Sequence, residues 1–214
     1  MKVVITGSSK GIGKATALLF LNRNHEVVGL DKEESTINHP MYVHNKINID
    51  LFLPDIDNVD ILINNAGVQN TGHDIQTNLI SLIKCTEKYG IHPNIKSIVN
   101  LASVSAHNGA EFPEYCASKG GVLSYTVNTA KRIAKWGATC NSLSFGGVLT
   151  ELNKPVTEDP KKWNEIMKMT PLNKWATPDE CAEWIYFFSV INKSCTGQDL
   201  IVDNGETVNH KFVW

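Results

Sequence analysis

Short runs of apolar residues alternate along this chain with longer stretches in which apolar positions recur every three or four residues. The runs Val27-Val28-Gly29-Leu30 and Ile61-Leu62-Ile63 are typical of parallel strands that are covered on both faces. The pattern predicts strands at 2–6, 26–30, 41–44, 60–64, 96–101, 139–143 and 198–202. It predicts helices near 11–23, 74–89, 113–136, 158–168 and 178–190. This alternation indicates the α/β fold class, with a doubly wound parallel sheet of about seven strands and helices on both faces.

Two connections depart from this regular alternation. The stretch from Leu152 to Lys162 is predicted to be loop-rich, because Pro155, Pro160 and several charges interrupt the helical pattern. The segment between Asp50-Leu51 and the strand near Ile61 is too short for a full crossover helix, since a parallel crossover normally needs about a dozen residues or more. We therefore expect a bare loop or a short turn at this connection.

Glycine and polar residues follow the ends of five predicted strands. They are Gly7–Gly13, Asp31, Asp50-Leu51, Asn64–Gly67 and Ser103. In doubly wound sheets, ligands bind outside the carboxyl ends of the strands. These residues are therefore expected to share one rim of the sheet and to form a binding site there.

The first of these segments has the properties of a phosphate-binding turn. Gly7 allows a tight turn off the strand, Gly11 lets the backbone approach a pyrophosphate, and Gly13 lets the helix pack close to the sheet. The helix N-terminus then offers backbone N–H groups and the positive end of its dipole to the phosphates. The sequence therefore predicts a dinucleotide site.

A tyrosine and a lysine four residues apart supply candidate chemistry. Tyr115 and Lys119 project from the same face of a predicted helix, and Ser103 lies twelve residues upstream of the tyrosine. A free phenol keeps its proton until about pH 10, and a neighbouring ammonium lowers that pKa. The pair is therefore a candidate proton-transfer unit.

Composition and charge narrow the class of protein. The 214 residues carry a net charge of −2, without a basic cluster that would point to nucleic acid. We also expect no membrane partner, because apolar runs stay short of spanning length and the N-terminus is a strand without signal-peptide features. The seven histidines show no metal-ligand spacing, so no metal is expected. Five scattered cysteines indicate reduced thiols in a cytoplasmic protein: Cys85, Cys116, Cys140, Cys181 and Cys195.

Together these motifs resemble the short-chain dehydrogenase/reductase family over essentially the whole chain. The matching motifs are Thr6-Gly-x-x-x-Gly-x-Gly13, Asn64-Asn-Ala-Gly67, Asn78-Leu79, Ser103, Tyr115-x-x-x-Lys119, Asn141-Ser142, Thr170-Pro171-Leu172, Thr177-Pro178-Asp179-Glu180 and Thr196-Gly197-Gln198 with Asp203. Each motif alone is weak to moderate, and the set in this order is strong. The resemblance implies a single dinucleotide-binding Rossmann domain over residues 1–214, with a substrate lid near 149–175.

The resemblance also implies an activity, namely NAD(P)-dependent hydride transfer between nicotinamide and a carbonyl or secondary alcohol. Tyr115 would be the general acid/base, and Lys119 would lower the tyrosine pKa and bind the nicotinamide ribose. Ser103 would hydrogen-bond the substrate oxygen, and Asn78 would help to hold a water in the proton relay. The cofactor-binding residues would be Gly7, Ser9, Lys10, Gly11, Ile12, Gly13, Asp31, Asp50, Leu51, Asn65, Ala66, Gly67, Tyr115, Lys119, Gly146, Val148 and Thr150.

The choice of cofactor depends on charges at the end of the second strand. Asp31 can bind the adenine ribose diol and would repel a 2′-phosphate, which favours NAD over NADP. Lys10 and Lys32 could instead pair with that phosphate. We expect NAD, because a carboxylate facing the diol acts directly, and NADP stays an open alternative.

One residue departs from the family pattern at the cofactor site. Phe145 replaces the family's proline after the sixth strand and would place an aromatic ring where the nicotinamide passes.

One apolar stretch bears on the oligomeric state. Residues 184–188 are apolar nearly all round, so they are either deeply buried or shared between subunits, and a homo-oligomer (tetramer or dimer) is expected.

The lid bears on the substrate. It brings Leu152, Trp163, Ile166, Met167 and Met169, which either contact an apolar part of the substrate or pack the lid against the body. A small ketone, a secondary alcohol or a 3-oxoacyl group would fit equally well. Two other functions stay open, namely a dinucleotide-sensing module without turnover, and isomerisation or dehydration with a tightly held cofactor.

Overall fold

The computed structural model describes residues 1–110 and 112–209. Seven strands form one sheet, and every neighbouring pair is parallel. The strands are β1 (Lys2–Thr6), β2 (Glu26–Asp31), β3 (Tyr42–Lys46), β4 (Ile61–Asn64), β5 (Ser97–Leu101), β6 (Thr139–Phe145) and β7 (Asp199–Val202). Their spatial order is β3-β2-β1-β4-β5-β6-β7, so the chain reverses direction across the sheet between β1 and β4. The predicted doubly wound fold is confirmed, with all seven strands in place.

Helices cover both faces of this sheet. The α-helices are α1 (Gly11–Asn22), α2 (Ser81–Tyr89), α3 (Ser105–Asn108), α4 (Pro113–Ile133), α5 (Lys154–Thr157), α6 (Pro160–Met169) and α7 (Pro178–Tyr186). Two π-helical segments, Gln76–Ile80 and Phe187–Ile191, lead into α2 and extend α7. Short 3₁₀ turns occupy Ala134–Trp136, Glu151–Asn153 and Glu206–Val208. No helix in the described part of the chain is long and apolar enough to cross a bilayer.

The strand sequences explain why both faces are covered. Successive side chains of a strand point to opposite faces, so an apolar run supplies two cores at once. Val3 and Ile5 join one buried cluster with Phe20 of α1, while Val4 joins a second cluster with Tyr89 of α2. The sheet is thereby fixed between two helical layers, and only its rims remain for ligands.

The short connection after β3 is a loop, as predicted. Residues 47–60 contain no helix or strand, and Leu51 and Phe52 are 85% and 62% exposed. Side chains of α2 hold this loop in place, because Tyr89 Oη donates to the Pro54 carbonyl at 2.7 Å and Lys88 Nζ donates to the Leu53 carbonyl at 2.8 Å. These hydrogen bonds replace the packing that a crossover helix would supply.

The prediction of a loop-rich stretch at 152–162 is wrong in part. The 3₁₀ turn that begins at Glu151, α5 and the start of α6 occupy most of it. Both prolines sit in the first turn of a helix, where the missing N–H costs nothing and the fixed φ favours the helix. Asp159 caps α6 by accepting hydrogen bonds from the backbone N–H groups of Lys161 and Lys162.

Candidate active site

The glycine-rich turn has the predicted geometry. Gly7 and Gly11 have φ values of +68° and +54°, a region that suits glycine. A Cβ on Gly13 would overlap the carbonyl of Gly7, so α1 packs on the turn more closely than any other residue would allow. The turn and the first N–H groups of α1 therefore form a close-packed cradle, and helix N-termini of this kind are suited to holding phosphate groups. Lys10, Gly11 and Ile12 line the cleft beside this cradle.

Asp31 connects the glycine turn to the loop after β2. Its carboxylate accepts one hydrogen bond from the backbone N–H of Ser9 at 2.8 Å and another from that of Glu33 at 3.0 Å. The side chain is nearly buried, yet the residue lines the cleft. Each carboxylate oxygen has two lone pairs, so each can still accept a hydrogen bond from a ligand hydroxyl.

The Asn64–Gly67 motif is attached to the glycine turn by a set of hydrogen bonds. Thr6 Oγ1 accepts from the backbone N–H groups of Asn65 and Ala66, both at 3.0 Å. Asn65 Nδ2 donates to the Thr6 and Gly7 carbonyls, both at 2.9 Å. The ends of β1 and β4 therefore form one rigid unit, and Asn65, Ala66 and Gly67 line the cleft.

The loop after β3 contributes residues that differ in part from those predicted. Asp50 lines the cleft, but its carboxylate accepts hydrogen bonds from Thr77 Oγ1 at 2.9 Å and Ser81 Oγ at 2.5 Å. Leu51 is exposed and does not belong to the cleft lining, whereas the nearly buried Ile49 does. Sequence reasoning missed Ile49 because no motif fixes the register of a loop.

These elements border one cleft of about 480 Å³ at the carboxyl ends of the strands. It runs from Asp31 and the residues that follow β2, past the glycine turn, to Tyr115, Lys119, Thr150 and Leu152. Thr71, His73 and Thr77 also line it, and none of these three was predicted. Its volume falls in the range of small-molecule sites, about 300–1,000 Å³. The cleft therefore joins most of the predicted cofactor residues to the predicted catalytic pair. The predicted site residues that do not line it are Ser9, Gly13, Leu51, Asn78, Ser103, Gly146 and Val148.

Tyr115 and Lys119 lie one turn apart at the start of α4, as predicted. Lys119 Nζ is 5.7 Å from the centroid of the Tyr115 ring. The lysine is buried, and its Nζ donates to the Leu101 carbonyl at the end of β5 at 2.8 Å. Burying an ammonium is costly unless it is hydrogen-bonded, so this carbonyl fixes the charge beside the phenol. Pro113 in the first turn of α4 sets where the helix begins and therefore where both side chains project.

Ser103 is buried on the turn between β5 and α3. Its Oγ donates to Ser105 Oγ at 3.1 Å and accepts from the backbone N–H of Ser105 at 3.2 Å. These bonds fix the hydroxyl on the rim that carries Leu101, the carbonyl partner of Lys119. The short α3 that follows was not predicted, because one helical turn leaves no periodicity to detect.

Asn78 lies at the centre of the first π-helical segment. Its Oδ1 accepts from the Val68 backbone N–H at 2.8 Å, and its Nδ2 donates to the Val68 carbonyl at 2.9 Å and to Ser118 Oγ at 3.1 Å. A Cβ on Gly67 would lie 3.3 Å from Asn78 Oδ1 and 3.7 Å from Lys119 Nζ. The asparagine amide and the lysine ammonium therefore converge on one backbone position. Such π-helical segments recur at functional sites.

Phe145 does not obstruct the cleft, so that expectation is wrong. Its side chain is buried in the same apolar cluster as Leu143 and Val148. Phe145 and Leu143 point to the same face because they are two residues apart on β6. Gly146 and Val148 follow the strand without lining the cleft, whereas Thr150 lines it opposite Gly11, whose added Cβ would lie 3.4 Å from Thr150 Cγ2.

A tryptophan and a glutamate attach the lid to the body. Trp175 Nε1 donates to Glu206 Oε1 at 2.9 Å, and Thr170 Oγ1 donates to the same oxygen at 3.2 Å. A Cβ on Gly147 would overlap the indole of Trp175. Trp163 packs edge-on against that indole, with the two ring centroids 5.2 Å apart. Trp163 is therefore a packing residue of the lid.

Each of the five cysteine thiols is either buried or only partly exposed. All five cysteines are free, and three are buried. Burial raises the pKa of Cys85 to about 12, and the Asp50 carboxylate contributes to that increase. Burial likewise raises the pKa of Cys181 to about 12. These thiols act as small apolar groups.

Within residues 1–110 and 112–209, no group of acidic, histidine and cysteine side chains could hold a metal ion.

Comparisons with known proteins agree with this geometry. A family model described as enoyl-(acyl carrier protein) reductase matches residues 46–207. The chain is 31% identical to a 3-oxoacyl-[acyl-carrier-protein] reductase of Chlamydia pneumoniae, with 96% of each chain covered. The structure resembles a 4-hydroxyisoleucine dehydrogenase mutant complexed with NADH and succinate at a TM-score of 0.88 and 25% identity, with 99% of this chain and 100% of that chain covered. It shares its fold with a 2-deoxy-D-gluconate 3-dehydrogenase-like protein of Agrobacterium tumefaciens with bound NADP, at a TM-score of 0.86 and 22% identity, with 97% and 96% covered.

The chain belongs to the short-chain dehydrogenase/reductase family. It is an NAD(P)-dependent oxidoreductase that transfers a hydride between nicotinamide and a carbonyl or alcohol carbon. The comparisons do not favour the alternative of a dinucleotide-sensing module without turnover.

Proposed function

We propose that the protein catalyses an NAD-dependent reaction of a small ketone or secondary alcohol. Tyr115 transfers the proton, and the Lys119 ammonium lowers the pKa of the Tyr115 phenol. The observation that carries this proposal is the buried Lys119 ammonium, held by the Leu101 carbonyl and placed one turn from the phenol in the cleft. When bound, the nicotinamide supplies or accepts the hydride. The residues of the chain then need only to position the substrate and move one proton.

The division of labour follows from the contacts. Tyr115 lines the cleft, so its hydroxyl can give a proton to the substrate oxygen or take one from it. An ammonium beside a phenol favours the phenolate, which is the role of Lys119. Ser103, fixed by Ser105, hydrogen-bonds the substrate oxygen and stabilises the charge that develops there. Asn78 joins the loop at Val68 to Ser118 of α4 by hydrogen bonds, and we place it next to the route of the proton between Tyr115 and solvent.

Replacing Tyr115 by phenylalanine tests this assignment. Tyr115→Phe removes the proton donor and keeps the ring, so we expect turnover to fall about 10²- to 10⁴-fold. NADH affinity should stay within about threefold, since the cofactor's other contacts remain. The measurement is NADH oxidation with the first ketone that the wild-type protein reduces, together with NADH titration of both proteins.

The matched control is Tyr125→Phe on the same helix. Tyr125 Oη donates to Glu87 Oε1 at 2.8 Å, outside the cleft lining, so its loss should leave turnover unchanged. Equal activity of Tyr115→Phe and the wild type would refute the mechanism. Equal losses in both variants would instead indicate damage to α4.

The proposed preference for NAD over NADP is supported by Asp31. Its carboxylate lines the cleft at the end of β2, where it can accept hydrogen bonds from both hydroxyls of the adenine ribose. A 2′-phosphate would meet this negative charge directly. The remaining proposed cofactor contacts are Ile49 and Asp50 at the adenine side and Thr150 near the nicotinamide, whereas Leu51, Gly146 and Val148 lie outside the cleft lining.

The substrate proposal is supported by the lid. Leu152 is 58% exposed and lines the cleft together with Tyr115, so an apolar group of the substrate can pack on it. Residues 149–175 contain no arginine, which disfavours a fork for a substrate carboxylate. A small ketone or secondary alcohol with an apolar substituent fits best, and a 3-oxoacyl group stays an alternative.

We further propose a homo-oligomer in a reducing, cytoplasmic setting. Three large side chains of the α7 region remain exposed although their neighbours are buried: Trp184 at 41%, Phe187 at 42% and Ile191 at 56%. Contact with a second copy would remove this apolar surface from water. A monomeric mass by light scattering at micromolar concentration would contradict this proposal.

A further inference from the structure

The loop after β2 contains an ion pair that affects the charge of the cofactor site. Lys10 Nζ lies 2.7 Å from Glu33 Oε1, and both residues line the cleft next to Asp31. Lys10 belongs to the glycine turn and Glu33 to the loop that follows Asp31. The pair therefore bridges the two segments between which the adenine ribose is proposed to bind.

The position of Glu33 is fixed by its backbone. Its N–H donates to Asp31 Oδ1 at 3.0 Å, and its carbonyl accepts from Ser9 Oγ at 3.1 Å and from His44 Nε2 at 2.9 Å. Three hydrogen bonds to one residue leave the loop little freedom. The carboxylate of Glu33 is thereby held where Lys10 can reach it.

A short chain of hydrogen bonds supports His44 in turn. His44 Nε2 donates to the Glu33 carbonyl, and Tyr42 Oη lies 3.3 Å from His44 Nδ1. Tyr42 Oη is also 3.1 Å from the Oγ of the buried Ser8 in the glycine turn. The route from the glycine turn at Ser8 to Glu33 thus runs through β3, and its Glu33 end lies at the cleft.

This arrangement has a consequence for binding a 2′-phosphate. Such a group carries up to two negative charges next to Asp31, so a nearby cation must compensate them. Lys10 is paired with Glu33, so its positive charge is offset at the place where a 2′-phosphate would need it, and among the described residues Asp31 remains the carboxylate without a cationic partner there. Lys32 forms no ion pair with any residue in the described ranges, so it is the cation left beside the ribose position.

We infer that Glu33 is a specificity-determining residue, which disfavours NADP by holding the Lys10 ammonium in an ion pair beside Asp31. This inference rests on the proposed NAD-dependent function and adds a second carboxylate to it. Glu33 acts on NADPH through Lys10, whereas Asp31 acts by facing the ribose itself. The two effects are therefore separable by mutation.

Removing the Glu33 charge tests the inference. In Glu33→Gln the Lys10 ammonium is free to pair with a 2′-phosphate, so the NADPH dissociation constant should fall roughly fivefold. The NADH dissociation constant should change by less than about twofold, because NADH has no 2′-phosphate to attract Lys10. Both constants are measured by nicotinamide fluorescence at one ionic strength, since exposed charges are screened by salt.

Glu34→Gln is the matched control. Glu34 is the next residue of the same loop and pairs with Lys46 at 2.7 Å instead of Lys10. The hydrogen bond and the charge of Lys46 lower the pKa of the Glu34 carboxyl, so this variant also removes one full negative charge. We expect Glu34→Gln to change the ratio of NADPH to NADH affinity by less than half as much as Glu33→Gln does.

The double variant Glu33→Gln/Lys10→Ala decides whether the effect passes through Lys10. The inference predicts that the gain in NADPH affinity disappears in this protein. Equal ratios in Glu33→Gln and Glu34→Gln, or a gain that survives the loss of Lys10, would overturn it while leaving the proposed function intact. If the wild-type protein binds neither dinucleotide, the proposed function fails and the inference fails with it.

Discussion

The two ends of the cleft are built differently. At the adenosine end, Asp31, Thr6 and Asn65 each make two or more hydrogen bonds that join the glycine turn to the loops beside it. At the lid, Leu152 and Leu172 are 58% and 66% exposed, and the hydrogen bonds to the body include those to Glu206 and to the Asn204 carbonyl and one from Asn209 Nδ2. Regions with few buried contacts open most readily.

This difference has a functional meaning. A preorganised site binds without the cost of ordering its own groups, so the cofactor end should bind a dinucleotide in the absence of substrate. The lid exposes apolar side chains that gain a buried environment only when a ligand or a rearranged lid covers them. We therefore expect the cofactor to bind to the folded chain with little rearrangement, and the exposed lid to become ordered when substrate binds.

The largest expected effect comes from breaking the cradle itself. In Gly13→Ala the added methyl group overlaps the Gly7 carbonyl, so the turn and α1 must move apart. We expect NADH affinity to fall at least tenfold and stability to fall by about 1–3 kcal/mol. Titration with NADH and thermal unfolding measure the two quantities.

Gly120→Ala is the corresponding control, because a Cβ there meets no atom within 4 Å. This change lies inside α4 and should stabilise the protein by up to about 1 kcal/mol. If Gly13→Ala binds NADH as tightly as the wild type, the cradle is not the rigid element described above.

A smaller effect is expected from releasing the lid. Glu206→Ala leaves the buried Trp175 N–H without its acceptor, which costs about 1–3 kcal/mol locally. Proteolysis within 149–175 should therefore accelerate at least about fivefold, while the NADH dissociation constant stays within about twofold. Glu206→Gln keeps an acceptor oxygen and should be cleaved at close to the wild-type rate. Equal cleavage of all three proteins would show that Glu206 does not secure the lid.

The strands could be predicted because each one is a compact apolar run with polar boundaries. Thr139–Phe145 extends two residues past its predicted end, since Ser144 and Phe145 continue the alternation as part of β6. That same alternation places Phe145 on the face of Leu143, so the burial of Phe145 could be predicted from the strand pattern. The proline at this position in related proteins carries no information about the burial of Phe145, because burial follows from the strand alternation.

The short helices and the loops could not be predicted in the same way. α3 and α5 have four residues each, which is too short for a 3.6-residue period to appear. The roles of Ile49 and Asp50 depend on how the loop after β3 folds against Thr77 and Ser81, and no local pattern encodes that long-range contact. The Lys10–Glu33 pair was missed for the same reason, because the two residues meet only when β1 and β2 lie side by side.

We propose above all that the adenosine end of the cleft is formed before any substrate binds and that it selects NAD. Titration of the wild-type protein with NADH and with NADPH, followed by nicotinamide fluorescence without substrate, tests it directly. We predict saturable binding of NADH, with NADPH weaker by roughly tenfold because Asp31 places a negative charge beside the 2′-phosphate and Glu33 holds Lys10 in an ion pair. Tighter binding of NADPH, or binding of neither dinucleotide, would contradict the account.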